Sequence, residues 1–133
     1  MAKTIPQEAQ RLLDEANFAH VATLMPDGSV QTTPVWVARD GNVAVFNTSK
    51  GRTKYENLLR DPRVTLSVHD QENPYQYIQI RGRAEIDEAS GLAMIHELSH
   101  KYTGQDYAHL QPGEQRVTVR VTPEHVQYQS PRG

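Results

Sequence analysis

A hydroxyl pair and three cations surround one glycine in the segment Asn47-Thr48-Ser49-Lys50-Gly51-Arg52-Thr53-Lys54. A predicted buried strand, residues 43–46, precedes the segment, and a predicted helix, residues 55–60, follows it. Backbone N–H groups at a helix start can bind an anion, and the side chains of Arg52 and Lys54 can converge on it. The segment therefore predicts a turn that binds a phosphate or a carboxylate, with a solvated basic turn as the alternative. It matches neither the Walker A pattern nor the dinucleotide-binding glycine pattern.

A second segment, His96-Glu97-Leu98-Ser99-His100, matches the His-Glu-x-x-His pattern of zinc hydrolases. In that pattern two imidazoles one helical turn apart bind the metal, and the glutamate acts as general base. The segment lies on a predicted helix, as the pattern requires. Thr103 and Asp106 stand where an extended zinc motif would place glycine and histidine, and His109 is the only later histidine near enough to be a third ligand. A zinc hydrolase is therefore a minor alternative.

Composition narrows the class of protein. With 133 residues, 37% of them hydrophobic, the chain is expected to be a single domain, residues 1–133, that can bury further surface in a homodimer. A net charge of −2 argues against a general nucleic-acid binder, whereas the five cations within residues 50–63 indicate a small anionic partner. The absence of cysteine excludes disulfides and thiolate chemistry. Without a signal-peptide pattern or a long apolar run, we expect a soluble, cytoplasmic protein.

Hydrophobic patterns divide the chain into short helices and alternating strands. A first helix is predicted over residues 6–15, and a longer one over residues 88–102, capped by Asp87 and ended by Gly104. Three strands joined by tight turns predict an antiparallel meander, followed by two strands and two closing segments. These patterns indicate a mainly β fold, a small antiparallel β-barrel with flanking helices. The predicted strands are residues 20–24, 30–38, 43–47, 64–69, 75–86, 115–121 and 125–128.

Side-chain alternation gives two of these elements distinct faces. In the strand of residues 75–86, one face is polar and aromatic, which suits a cofactor cleft or a dimer seam better than a core. In the helix of residues 88–102, four apolar residues fall on one face, and His96 and His100 then lie at its flank. The polar strand face comprises Tyr75, Tyr77, Gln79, Arg81 and Arg83, and the apolar helix face comprises Leu92, Ile95, Leu98 and Tyr102.

Several segments together resemble a known family, the FMN-binding split β-barrel proteins related to pyridoxamine 5′-phosphate oxidase. Within it, the chain looks most like the small F420 (deazaflavin)-dependent oxidoreductases of actinobacteria, the FDOR-B type. The resemblance extends from Leu12 to about Tyr128. It rests on residues 19–24 followed by Asp27-Gly28, on residues 30–36, on residues 45–49 with Arg52 and Lys54, on residues 57–64 and on residues 77–84.

The resemblance implies a homodimeric, antiparallel split β-barrel with a cofactor cleft between two protomers. Arg52 and Lys54 would hold the cofactor phosphate, and Asn47, Thr48 and Ser49 would touch the ribityl chain and ring edge. The strand of residues 33–36 would line the ring, so that Thr33, Val35 and Trp36 join the site. Tyr77 and Gln79 would come from the partner chain. Lys50 would meet the polyglutamate tail of the deazaflavin, or remain a solvated lysine.

The chain differs from true pyridoxamine phosphate oxidases because it lacks their Arg-Trp and Arg-Leu-x-Pro segment after Pro123. We therefore expect an F420-dependent reductase that transfers a hydride to a small electrophilic substrate, with FMN as the alternative cofactor. A non-catalytic cofactor-binding protein of the same fold is a further alternative. No residue is identified as catalytic, and Tyr75, Tyr77 and His69 are candidates for the proton donor.

Overall fold

Seven antiparallel strands form one sheet in the computed structural model, which describes residues 2–130. Three α-helices and one turn of 3-10 helix, Gln7–Ala9, flank the sheet within these residues. The helices are α1 (Gln10–Asp14), α2 (Thr53–Arg60) and α3 (Gly91–Thr103). The strands are β1 (Phe18–Leu24), β2 (Val30–Trp36), β3 (Ala38–Asp40), β4 (Val43–Ser49), β5 (Arg63–His69), β6 (Tyr77–Asp87) and β7 (Arg116–Gln129).

The order of the strands shows how the sheet closes. Neighbours follow the order β2-β1-β5-β6-β7-β4-β3, which places β2 and β3 at opposite edges although only Val37 separates them along the chain. The two edges must therefore meet, and the sheet curls into a split barrel. The predicted β-barrel fold is confirmed. The predicted meander is wrong in its middle, because residues 30–38 form two strands that pair with β1 and β4 respectively.

Helix α3 packs over Val37, at the seam where the edge strands β2 and β3 meet. The Val37 N–H donates to the Tyr102 hydroxyl at 3.0 Å, and the Val37 carbonyl accepts from the Lys101 ammonium at 2.5 Å. Lys101 also donates to the Leu13 carbonyl at 2.6 Å, and Tyr102 donates to the carbonyl of Asn17. Val37 lies between two edge strands and so has no partner in the sheet, but its buried N–H and carbonyl groups still require hydrogen bonds. The end of α3 therefore supplies the hydrogen bonds that the sheet lacks.

The two predicted closing segments form one long strand. Pro123 lies inside β7, where the register against β6 shifts by one residue between Arg81 and Gly82. The shift accommodates the proline, because a bulge removes the need for its missing N–H. A side chain at Gly82 would place its Cβ 2.0 Å from the Thr122 carbonyl oxygen, so the close approach requires glycine.

Burial confirms the predicted faces of β6 and corrects that of α3. Ile78 and Ile80 are buried, whereas Arg81 and Arg83 are exposed. On α3 the prediction is wrong for Leu92, which is 56% exposed, because Gly91 takes the position against the sheet. A Cβ on Gly91 would lie 1.9 Å from the Arg116 carbonyl oxygen. The barrel core contains, among others, Leu12, Leu13, Val21, Phe46, Leu66, Ile78, Ile80 and Val119.

The ends of α3 agree only in part with the sequence. Gly104 ends the helix as predicted, with a φ of 80°. The predicted cap Asp87 instead accepts hydrogen bonds from the N–H and hydroxyl of Ser90, and the helix begins at Gly91 rather than Glu88. None of the helices within residues 2–130 has the length and apolar character needed to span a bilayer.

Candidate functional site

A cleft of about 210 Å³ opens beside the seam, where β2, β4, the start of α2 and the loop before β7 meet. Each of these elements supplies part of the wall because the sheet curls there and brings its two edges together. The lining residues are Phe18, Pro34, Val35, Trp36, Asn47, Thr48, Arg52, Lys54, Tyr107 and Arg116.

One end of the cleft is strongly positive. Arg52, Lys54 and Arg116 line it, and within residues 2–130 the side chains of Arg52 and Lys54 have no hydrogen-bond or ion-pair partner. Lys54 is only 9% exposed, and its burial lowers the pKa of its ammonium, as does the positive charge of Arg52 and Arg116. An ammonium that is buried among cations without an acceptor is unfavourable in isolation. This end of the cleft is therefore suited to an anion.

Hydrogen-bond donors also lie at the cationic end of the cleft, which we call the anion pocket. The Thr48 side chain is 2% exposed, and its Oγ1 has no hydrogen-bond partner. Helix α2 begins at Thr53 without a side-chain cap, so no side chain covers the N–H groups of its first turn. Gly51, with a φ of 91°, forms the turn that leads into this helix. A hydroxyl and a helix start thus lie with two unpaired cations in one short segment.

Arg116 fixes the wall of the cleft. Its Nε donates to Asn47 Oδ1 at 2.8 Å, and its Nη1 donates to Ser49 Oγ at 3.0 Å and to Glu114 Oε2 at 2.8 Å. Ser49 donates to Glu114, and these hydrogen bonds from Ser49 and Arg116 lower the pKa of Glu114 to about 2. Asn47 in turn donates to the Gly91 carbonyl at 2.9 Å. The Asn47 and Ser49 side chains are therefore engaged mainly with the protein.

Aromatic rings form the rest of the cleft and meet its cationic end at Arg116. Trp36 stacks on Tyr102 with ring centroids 5.3 Å apart, and Tyr107 meets Trp36 edge-on at 6.1 Å. The Arg116 guanidinium lies 5.2 Å from the centroid of the Tyr107 ring. The cleft therefore has a cationic end that suits a phosphate and an aromatic end that suits a planar ring.

An apolar depression of about 320 Å³ adjoins the cleft and shares Phe18 and Pro34 with it. His20, His69 and Gln71 complete its lining. The Nδ1 of His69 lies 2.8 Å from the Asp70 carbonyl oxygen. Since a carbonyl oxygen can only accept, Nδ1 carries the proton of this hydrogen bond, and Nε2 remains for other partners.

A sequence model described as pyridoxamine 5′-phosphate oxidase matches residues 5–130. The chain belongs to this family. Comparison with solved structures shows which proteins share its fold. A protein named F420 reductase is 33% identical, with a TM-score of 0.83, and the match covers 92% of this chain and 98% of that one.

Less similar solved structures share the fold. A conserved hypothetical protein from Mycobacterium tuberculosis is 24% identical, with a TM-score of 0.77 and coverage of 98% and 88% of the two chains. General stress protein 26 from Bacillus anthracis is 15% identical, with a TM-score of 0.73 and coverage of 92% of each chain. Among curated proteins, none matches the chain. The oxidase family and the F420 reductase thus share a fold associated with flavin-type redox cofactors.

The cleft brings together many of the residues that the family resemblance implied, namely Val35, Trp36, Asn47, Thr48, Arg52 and Lys54. Ser49 lies behind them in the Arg116 network. Thr33 lies on the same strand as Val35, and its buried Oγ1 has no partner. Pro34 belongs to the strand of residues 33–36 that the resemblance implied, whereas Phe18, Tyr107 and Arg116 were not predicted. Arg116 faces Ser49 in the β4–β7 register, a long-range pairing that no local pattern reveals.

Three further predicted residues lie outside the cleft. Lys50 forms an ion pair with Glu88 at 2.6 Å, which raises the pKa of Lys50. Gln79 lines a separate groove with Tyr128, and Tyr77 lies on the same outward face of β6. Tyr77 and Gln79 of the same chain therefore do not line the cleft. Their predicted role from the partner chain stays a prediction.

The His-Glu-x-x-His segment lies on α3, as predicted, but its imidazoles bind the neighbouring loop. His96 Nδ1 accepts from the Tyr107 N–H at 3.0 Å, and His100 Nε2 lies 2.6 Å from Asp106 Oδ1. Across residues 2–130, no three histidine, cysteine or acidic side chains are grouped so that they could hold a metal ion. The geometry therefore gives the zinc alternative no support.

Proposed function

We propose that this protein is an F420-dependent reductase that transfers a hydride from the reduced cofactor to a small electrophilic substrate. The observation that carries the proposal is the cationic end of the cleft, where the side chains of Lys54 and Arg52 have no partner within residues 2–130 and the buried Thr48 Oγ1 is also unpaired. The similarity to a protein named F420 reductase, at 33% identity over nearly both chains, supports the choice of cofactor.

The residues present fit a ribityl phosphate. A phosphate group would give Lys54 and Arg52 charge-assisted hydrogen bonds at a place where burial already strengthens them. Thr48 would donate its hydroxyl to a phosphate or polyol oxygen, which removes an unpaired buried oxygen. The first turn of α2 adds N–H donors and the positive end of its dipole. Binding would thus give the clustered cations an acceptor and the buried Thr48 hydroxyl a partner.

Deazaflavin supplies the hydride when it is bound. The chain supplies position and electrostatics: Val35 and Trp36 would cover one face of the ring, and Arg116 would hold the wall through Asn47. The adjoining apolar depression would receive the electrophile, because it shares Phe18 and Pro34 with the cleft. His69 lines this depression, and we assign its Nε2, once protonated, as the donor that completes the reduction.

A homodimer is part of the proposal. The outward face of β6 carries Tyr77, Gln79, Arg81 and Arg83 in an alternating row, with the groove beside Tyr128 next to it. A second copy covering this face would bring Tyr77 and Gln79 towards the cleft of its partner. Cross-linking or sedimentation of the protein with and without cofactor measures the association directly.

The test is a fluorescence titration of the purified protein with coenzyme F420 and, separately, with FMN. We expect F420 to bind in the micromolar range or tighter, and to bind more tightly than FMN. Substituting both Arg52→Ala and Lys54→Ala should raise the dissociation constant at least about tenfold, because two charge-assisted contacts are lost.

The matched control is Lys50→Ala, which removes a cation from the same turn that is already paired with Glu88 outside the cleft. Its dissociation constant should stay close to that of the unsubstituted protein. Equal weakening by Lys50→Ala and by the double substitution would overturn the phosphate assignment. A clear preference for FMN would instead identify a flavin-dependent member of the family, and binding without turnover would identify a carrier.

A further inference from the structure

The two histidines of the His-Glu-x-x-His segment hold the loop of residues 104–113. His96 is half-buried, and its Nδ1 accepts the Tyr107 N–H at 3.0 Å. One turn later on α3, His100 contacts Asp106 at 2.6 Å, where both side chains are largely exposed. Glu97, between them in sequence, is exposed and takes no part in these contacts. The inner contact, through His96, is therefore the one shielded from solvent.

Tyr107 is the residue that this loop presents to the cleft. Its ring touches Trp36 edge-on, lies under the Arg116 guanidinium and meets His109 on another side. These contacts orient the ring, but they do not engage the backbone of the loop. The hydrogen bond from the Tyr107 backbone to His96 fixes the height of the ring above the cleft.

We propose that His96 is a positioning residue that holds Tyr107 against the ligand cleft and so slows the escape of the bound ligand. The proposal rests on the function proposed above only for the identity of that ligand. His96 acts through its Nδ1 lone pair, which an uncharged imidazole offers when its proton is on Nε2. A side chain of similar size without an acceptor would release the loop.

Two substitutions of His96 distinguish the effect of its hydrogen bond from the effect of its ring volume. In His96→Asn the amide oxygen replaces Nδ1 at a similar distance from the backbone and can accept the same N–H. In His96→Phe the ring remains but the acceptor is lost. The loss of one hydrogen bond of about 1 kcal/mol corresponds to about a fivefold rise in the open population of the loop.

Trp36 reports the position of Tyr107 without any ligand, because it is the only tryptophan in the chain. We expect acrylamide to quench Trp36 more strongly in His96→Phe than in the unsubstituted protein, and to quench His96→Asn like the latter. Tyr107→Ala should expose Trp36 as well, and adding His96→Phe to it should have no further effect. Equal quenching of the Phe and Asn variants would overturn the proposal. If His96→Phe fails to fold, His96→Ala replaces it in the same comparison.

The second measurement is the rate at which coenzyme F420 leaves the protein, followed by its fluorescence after dilution. We expect release about fivefold faster from His96→Phe and unchanged from His96→Asn. Unchanged release from both, together with the expected quenching, would overturn the role in ligand retention. Failure of the unsubstituted protein to bind F420, with the expected quenching, would count against the proposed function while leaving the positioning of Tyr107 supported.

Discussion

Two lysines of low exposure, the buried Lys54 and the half-buried Lys101, meet opposite surroundings. Burial lowers the pKa of both, that of Lys101 to about 8. Lys101 donates to two backbone carbonyls, of Leu13 and Val37, whereas Lys54 has no acceptor within residues 2–130 and faces Arg52 and Arg116. The same residue type is thus satisfied by the protein at one position and left unsatisfied at the other.

The two lysines therefore differ in role, since one is hydrogen-bonded by the protein and the other is suited to a ligand. A buried ammonium is unfavourable unless it is hydrogen-bonded. At Lys101 the fold supplies the acceptors, so the lysine stabilises the seam. At Lys54 the fold supplies none, so an anion from outside the chain is the group that would stabilise it. Three substitutions test this difference, from the largest expected change in unfolding free energy to the smallest.

Lys101→Met should have the largest effect on stability. Methionine keeps the apolar stem but removes both hydrogen bonds, and it leaves the Leu13 carbonyl without its donor. We expect the unfolding free energy to fall by about 2 to 3 kcal/mol. Chemical denaturation measures this change. A variant as stable as the parent would show that the seam does not depend on Lys101.

Glu114→Gln should have an intermediate effect. It removes the charge opposite Arg116, while the amide can still accept a hydrogen bond, so we expect a loss of about 1 to 2 kcal/mol at neutral pH. Because the folded-state pKa of Glu114, about 2, lies below its ordinary value, the stability it contributes is present above that ordinary value. The difference between parent and variant should therefore shrink as the pH falls towards 2. A difference independent of pH would contradict the assigned ion pair.

The pH dependence of stability provides a second test of Lys101. Its folded-state pKa is about 8, below its ordinary value of 10.5, so the unfolded chain binds more protons between these pH values. The contribution of Lys101 to stability should therefore rise with pH across this range. The melting temperature of the parent, compared with that of Lys101→Met, should show the rise, and parallel curves would contradict it.

Lys54→Met should have the smallest effect on stability. Removing an unpaired buried charge leaves no acceptor unsatisfied, so we expect the unfolding free energy to change by at most about 0.5 kcal/mol or to increase slightly. Binding of coenzyme F420 should nevertheless weaken about tenfold. A large loss of stability would mean that Lys54 is structural like Lys101, and the contrast between the two lysines would disappear.

Local sequence patterns predicted the faces of a strand, the end of a helix and the position of a turn. The alternation of β6 predicted its buried Ile78 and Ile80, and Gly104 ended α3 because it adopts a positive φ. The turn at Gly51 marked the cationic end of the cleft. In each case the signal is contained within a few neighbouring residues.

What the sequence did not predict depends on residues far apart in the chain. The break at Val37 follows from pairing β2 and β3 to different partners, and the continuity of β7 through Pro123 follows from a bulge opposite Gly82. Arg116 and Tyr107 enter the cleft because β7 pairs with β4 and because His96 holds a loop. Propensity and periodicity carry no information about such partners.

The seam at Val37 also determines when the cleft can form during synthesis. Val37 and Lys101 are 64 residues apart, and Ser49 and Arg116 are 67 apart, so the early strands leave the ribosome long before the groups that close the barrel. Until α3 and the start of β7 have emerged, β2 and β4 have unpaired edges and no common wall. The cleft is therefore completed late in synthesis, and a nascent chain that ends before Arg116 lacks part of its wall.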